Sequence, residues 1–384
     1  MSKKSKKNNN EVKLRAIELC NNLFSAIEKG DRPFIEAIKC SLDNALYDPS
    51  VGFLQPMDKK IKTELNVSSV KKLARASFLL EILIRNLDSG SVNTKREIYY
   101  IAKGEIKHNN LLKSIDFSGQ DESDAILDFL CEALSCYRED FNCFANDRGG
   151  QTYSQNLIVT ETLPDGREAV IDLSALGTSP FQPKNRPQAL KLKAKKNLDF
   201  CLVVESEGTA STLVANGFTQ RNNSIIVGSQ GVPSNAVRGW VKRIQEDLNI
   251  PIYFFGDLDA YTLQNIFRTL KAGSAASLIR NEDFSAPEVK FLGVLPTDIK
   301  KYGLIDYPVS EKDAQEYRAL KKAKDALDDP FFKDKKNKGL TEILKWLYSN
   351  KKRCEQQSIF GVNPKDPLAP EKIILEKIKN RDFV

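Results

Sequence analysis

Apolar residues recur three or four positions apart from Glu11 to about Ala37, at Leu14, Ile17, Leu19, Leu23, Ile27, Phe34 and Ile38, which predicts a helix. A loop rich in proline and glycine follows near residues 48–56. Ser68 or Ser69 is placed to cap a second helix carrying Val70, Leu73, Ala74, Phe78, Leu79, Ile82 and Leu83. Asp88-Ser-Gly90 ends that helix, and a third begins near Asn93 or Thr94, which gives a helix-turn-helix outline. A further helix is expected over residues 121–137. Two extended runs come next, residues 156–162 and 169–173, joined by the hairpin signal Leu163-Pro-Asp-Gly166. Helices followed by a small hairpin predict a winged helix.

Residues 174–190 hold Gly177, Pro180, Pro183 and Pro187 and form the best linker candidate. Beyond them the pattern switches to alternating strand and helix. Strands are expected at residues 199–205, 224–228 and 251–256, with helices near 210–216 and 235–248. This order predicts a parallel sheet covered by helices, so the fold class is α/β joined to a helical, α+β N-terminal region.

At 384 residues the chain has room for two domains: residues 11–175, and residues 191–384, with 176–190 as the linker. A net charge of +7 favours a polyanionic partner without identifying one. The run Met1-Ser-Lys-Lys-Ser-Lys-Lys-Asn-Asn-Asn10 has nothing to bury and is expected to be a flexible basic tail. A solubilising end, a nucleic-acid contact and a nuclear-import address all stay open for it. Seven scattered cysteines without a C-x-x-C pair argue against a disulfide framework or a zinc site. No apolar stretch is long enough to span a bilayer and no signal-type core opens the chain, so an intracellular protein is expected.

A single histidine, His108, leaves catalysis to carboxylates, tyrosines or basic groups. Glu205 ends the apolar run Asp199-Phe-Cys-Leu-Val-Val204, and Asp257 and Asp259 sit at the end of the run Ile250-Pro-Ile-Tyr-Phe-Phe-Gly256. In parallel sheets ligands bind beyond the carboxyl ends of the strands, where all three acids fall. Three hard oxygen donors there suggest a divalent cation of the kind that works on phosphate oxygens. An isolated D-x-D is common in loops; two buried strands ending in acids are less so. Glu207 is a rival ligand that spacing does not exclude.

The second chemical feature is Thr94-Lys-Arg-Glu-Ile-Tyr-Tyr100 on the third helix. A tyrosine becomes a nucleophile only beside a cation, metal or base, and Arg96 stands one turn from Tyr100. Adjacent positions point apart on a helix, so one tyrosine packs and the other projects, and the residues alone leave open which does which. Arg238, Lys242 and Arg243 are candidate phosphate contacts on the helix after Gly231-Val-Pro233, with a solvated helix face as the plain alternative.

The segments Lys95-Arg-Glu-Ile-Tyr-Tyr100, Gln120-Asp-Glu-Ser-Asp124, Val204-Glu-Ser-Glu-Gly208, Gly256-Asp-Leu-Asp259 and Leu292-Gly-Val-Leu-Pro-Thr-Asp298 together resemble the A subunits of DNA topoisomerase VI. The tail stretches Asp329-Pro-Phe-Phe332, Glu355-Gln-Gln357 and Pro370-Glu-Lys-Ile373 extend the resemblance to nearly the whole chain. Meiotic double-strand-break transesterases share the tyrosine motif and the acids. The resemblance implies a winged-helix domain of the catabolite-activator type bearing the nucleophile, followed by a Toprim domain binding Mg2+. It implies Tyr100 as nucleophile, Arg96 as an active-site cation, Glu205, Asp257 and Asp259 as metal ligands, and Tyr99 as structural. It further implies a homodimer that cuts double-stranded DNA through 5′-phosphotyrosyl links. A separate ATPase B subunit would complete an A2B2 assembly, and this chain has no G-x-x-x-x-G-K-[ST] loop of its own. The expected location is the cytoplasm with the nucleoid, or the nucleus in a eukaryote. Two departures from the family stand out: Glu207 replaces a usual glycine, and Ala260-Tyr261 replaces proline and an aromatic. Strand breakage without strand passage, and a catalytically silent DNA-binding paralogue, are the alternative readings.

Overall fold

The computed structural model describes residues 9–144, 150–163, 166–183, 189–312 and 314–384. The basic run at residues 1–8, Pro164 and Asp165 of the expected hairpin turn, and residues 184–188 of the expected linker lie outside the described residues. The fold divides into two compact units, one of residues 1–44 and 56–146, the other of residues 45–55 and 147–384.

In the first unit α1 runs from Asn9 to Glu28 and stops nine residues short of its expected end. Gly30 takes φ +74° and Pro33 follows, after which β1 (Phe34–Ile38) is extended. Its side chains alternate, with Ile35 and Ala37 buried and Phe34 and Glu36 exposed, so a period of two overrides the apparent helical spacing. Three more short strands follow, β2 (Ala45–Asp48), β3 (Phe53–Pro56) and β4 (Lys60–Glu64). β1 pairs antiparallel with β4, whereas β2 and β3, which belong to the second unit, pair with each other where the sequence predicts a loop.

α2 (Val70–Ser89) buries Leu73, Ala76, Leu79, Leu80 and Leu83 along one face and ends at Gly90 in the left-handed conformation. Ser69 occupies its N-cap position, but the hydroxyl donates to Glu64 O and does not cap the helix. A short strand β5 (Asn93–Thr94) leads into α3 (Lys95–His108). Thr94 and Glu97 close a full capping box there, which fixes where α3 starts. α3 buries only Ile98, Ala102 and Ile106, and α4 (Gln120–Leu134), which packs beside it, buries Ile126, Leu127 and Leu130 among others. Lys95 Nζ lies 3.1 Å from an Asp124 carboxylate oxygen, tying the start of α3 to α4. β6 (Cys143–Phe144) pairs parallel with β5.

The second unit is built on a five-stranded sheet. Its strands are β7 (Gln151–Tyr153), then, after β8 (Leu157–Thr162), β9 (Glu168–Asp172) and β10 (Leu190–Ala194), β11 (Phe200–Val204), β12 (Ser224–Gly228), β13 (Ile252–Phe255) and β14 (Lys290–Gly293). The order is β14-β13-β11-β12-β7, parallel except for the edge strand β7. Every residue of β11, β12 and β13 is buried, which is why these strands read as unbroken apolar runs. Crossovers are supplied by α5 (Glu207–Ala215), α6 (Phe218–Arg221) and α7 (Asn235–Leu248). Phe254, Phe267 and Phe291 pack as a triad with centroid distances of 5.1–6.0 Å under one face.

β8 and β9 do form an antiparallel hairpin, but β8 also pairs with β10 and Leu192 N donates to Asp247 of α7 at 2.9 Å. The hairpin therefore belongs to the second unit and is not a wing on the helices of the first; that expectation is corrected by the pairing with β10. No helix among the described residues is long and apolar enough to cross a membrane.

Candidate metal centre and tyrosine helix

Register places the acids. Val204 is level with Gly228 on one side and Phe255 on the other, so Glu205 and Gly256 leave the sheet side by side. Gly256 has no room for a side chain, because an added Cβ would stand 2.6 Å from Glu205 Oε2 and 2.5 Å from the Phe254 ring. That close approach lets Glu205 Oε2 accept from the Asp257 backbone N–H at 3.0 Å and from the Thr262 hydroxyl at 3.0 Å. Asp257 Oδ1 accepts from Gln356 N at 2.9 Å, and Asp259 Oδ1 from Thr262 N at 2.6 Å. Each of the three carboxylates thus has one oxygen held by a backbone N–H, which fixes its orientation.

Negative charge dominates the cluster, offset in part at Asp259 and Glu316 by the Arg353 guanidinium. Burial, reinforced by the charges of Asp257 and Asp259, pushes the Glu205 carboxyl up to about 8. Burial raises Asp257 to about 6, and Asp259 is raised by the same cause. A fourth acid, Glu316, is 5 % exposed and raised to about 7 by burial and by Asp259. Nothing in the sequence pattern pointed to Glu316, which sits on a polar helix (Ala314–Lys321) and reaches back to Ala260 and Tyr261. The loop is also clasped by a β-bridge, Leu258 N to Cys354 O at 2.9 Å and Cys354 N to Leu258 O at 3.1 Å. No group of three or more His, Cys, Asp or Glu side chains among the described residues is arranged closely enough to hold a metal ion as it stands. The chemistry of the donors, all carboxylate oxygens and each oriented by a backbone N–H, is nevertheless that of a hard divalent cation.

Glu207, the extra acid beside Glu205, heads α5 and accepts a hydrogen bond from Gln230. Its carboxylate is tied to that amide, not to Asp257 or Asp259.

On α3 of the first unit Tyr100 is 58 % exposed, while Tyr99 is half-buried and meets it edge to face at 5.2 Å. The Arg96 guanidinium stands 5.9 Å from the Tyr100 ring centroid, and both side chains face solvent. His108 ends the same helix and is exposed.

The basic triplet on α7 comes out differently. Arg238 is 3 % exposed and its Nε donates to Phe284 O at 3.0 Å, so it is a core cation and not an outward phosphate contact. Lys242 and Arg243 are bound to acids of their own helix, Lys242 to Glu246 at 3.4 Å and Arg243 to Glu246 and Asp247. The i, i+4 spacing conceals that α7 presents its first two turns to the core: Ala236, Val237, Trp240, Val241 and Ile244 are all fully buried.

Two family models match the chain. One, described as the Toprim domain of topoisomerase 6 A subunits and Spo11, matches residues 200–373, and one described as type IIB DNA topoisomerase matches residues 71–143. Among curated relatives, the type 2 DNA topoisomerase 6 A subunit of Methanocaldococcus jannaschii is 32 % identical over 375 residues, 96 % of each chain. The subunits of the same name from Natronomonas pharaonis and Aeropyrum pernix are 29 % and 27 % identical, each over 83 % of both chains.

Proposed function

The chain belongs to the family of topoisomerase VI A subunits and is a type IIB topoisomerase cleavage subunit; from that premise we propose that Tyr100 cuts DNA by transesterification beside a divalent cation held by Glu205, Asp257 and Asp259. The observation that carries this reading is the convergence of three backbone-anchored, electrostatically coupled carboxylates at the carboxyl ends of β11 and β13.

The Tyr100 oxygen attacks a backbone phosphorus, forming a 5′-phosphotyrosyl bond as the bond to the 3′ oxygen breaks and that oxygen takes up a proton. One phosphoester replaces another, so religation by the 3′ hydroxyl needs no further energy source. Arg96, beside the ring, supplies a fixed positive charge that draws the phosphate toward the helix. Mg2+, when bound, neutralises phosphate charge and stabilises the departing oxygen. Glu205, Asp257 and Asp259 would hold that ion, each with one oxygen fixed by a backbone N–H. Tyr99 packs as support for its neighbour. The helical unit bearing Tyr100 is read as the winged-helix domain of the family, with the β1 and β4 pair as its own strands. One tyrosine cuts one strand, so the double-strand break takes two copies, one copy's tyrosine serving its partner's acids, with an ATPase B subunit completing an A2B2 enzyme that relaxes and decatenates DNA.

The test is a covalent trap: supercoiled DNA, Mg2+ and the B subunit, quenched with detergent. Wild-type chain should migrate with DNA attached, and Tyr100→Phe and Asp257→Asn should not. An adduct that survives Tyr100→Phe undiminished sinks the proposal, and breaks without ATP-dependent relaxation would favour cleavage without strand passage.

A further inference from the structure

Asp259 stands at the head of a helical stretch, residues 260–272. The first N–H groups of any helix lack partners within it and seek oxygen acceptors nearby. Asp259 Oδ1 already caps Thr262 N at 2.6 Å. The N–H groups of Ala260 and Tyr261 are taken up by Glu316, whose Oε1 accepts from Ala260 at 3.0 Å and Oε2 from Tyr261 at 2.9 Å, the Tyr261 N–H being shared with Asp259. This acceptor lies 55 and 56 residues away in sequence, is 5 % exposed and uses both of its oxygens on these two donors. A buried carboxylate engaged in this way is not idle packing.

We infer that Glu316 is a positioning residue for the divalent cation: by occupying the two leading N–H groups of this helix it keeps Asp259 turned toward Glu205. Its negative charge also adds to the field that holds a cation without needing to touch one. The inference rests on the metal reading of Glu205, Asp257 and Asp259 above. Gln356 N on Asp257 and the Cys354 bridge on Leu258 hold the preceding residues of the loop, so Glu316 governs the Asp259 end.

Mn2+ binding to the full chain, followed by loss of the free-ion EPR signal, separates the two ideas without recourse to DNA cleavage. Glu316→Gln keeps the shape but replaces one acceptor with an NH2 donor and removes the charge, and Glu316→Ala removes both acceptors. Both should weaken Mn2+ binding by about 10- to 100-fold, as loss of a group that orients a ligand does, while the metal-free melting temperature of Glu316→Gln stays close to wild type. Glu316→Gln that binds Mn2+ like wild type overturns the inference, even where Glu316→Ala is unstable, because the residue is then only structural. Wild-type chain that binds no Mn2+ overturns the metal reading itself and takes this inference with it.

Discussion

On the proposed function, protons and a divalent cation compete for the same carboxylates, and the raised acids allow the competition to be worked out. With Glu205 near 8 and Asp257 near 6, about 1 % of Glu205 and about half of Asp257 are ionised at pH 6, so both are charged together in ~0.5 % of molecules. At pH 8 the corresponding fractions are about half and about 99 %, so the doubly charged form reaches ~50 %. Apparent affinity for Mg2+ or Mn2+ should therefore rise about 100-fold between pH 6 and pH 8, or about 2.7 kcal/mol, and flatten above pH 9. The folded chain without metal holds these protons to a higher pH than the unfolded chain does. It binds more protons over that interval, and its stability must fall as pH climbs from the ordinary carboxylate range toward 8. Isothermal titration of metal at constant ionic strength, repeated in buffers of different ionisation enthalpy, reads both the affinity and the protons released. Saturating metal should restore the melting temperature lost at pH 8. An affinity flat from pH 6 to 8, with no proton release, would show that these acids do not bind the ion as a buried group and would refute the reasoning.

Further outcomes follow from single contacts. Gly256→Ala drives a methyl group into Glu205 Oε2 and the Phe254 ring; it should cost roughly 1–3 kcal/mol in urea unfolding and weaken Mn2+ binding, and a neutral effect on both would contradict the close approach. Asp298→Asn leaves the Lys377 ammonium, which is 1 % exposed and 2.7 Å from both Asp298 oxygens, with the more distant Asp382 carboxylate at 3.5 Å; about 3 kcal/mol of stability should be lost, and a loss below about 1 kcal/mol would mean that Asp382 alone compensates the charge. Thr94→Ala opens the capping box of α3 and should cost about 1 kcal/mol, with faster amide exchange in the first turn, whereas unchanged exchange there would show that tertiary packing alone sets where the tyrosine helix begins.

What could be read in advance follows the range of the interactions involved. β11, β12 and α7 were legible because continuous burial writes unbroken apolar runs, and because Ser234 and Asn249 bracket Asn235–Leu248 with a cap and a left-handed stop. The acids were legible as strand-end residues on the same grounds. The overrun of α1 came from counting Phe34 and Ile38 by helical spacing across Gly30 and Pro33, where the period had already changed to two. The hairpin of β8 and β9 was visible locally, but its allegiance to β10 depends on a pairing about thirty residues away. Arg238 shows the limit of charge spacing: a cation at i, i+4 from another says nothing about which face the helix buries. Glu316 had no local signature at all, since what defines it is two amides more than fifty residues earlier.

The loop between Asp257 and Thr262 is held by Glu316, Cys354 and Gln356. A chain still on the ribosome, with its sheet strands already out but these later residues unsynthesised, has its acids at the strand ends without the contacts that orient the loop, so the loop takes its final shape only once residue 356 has been made.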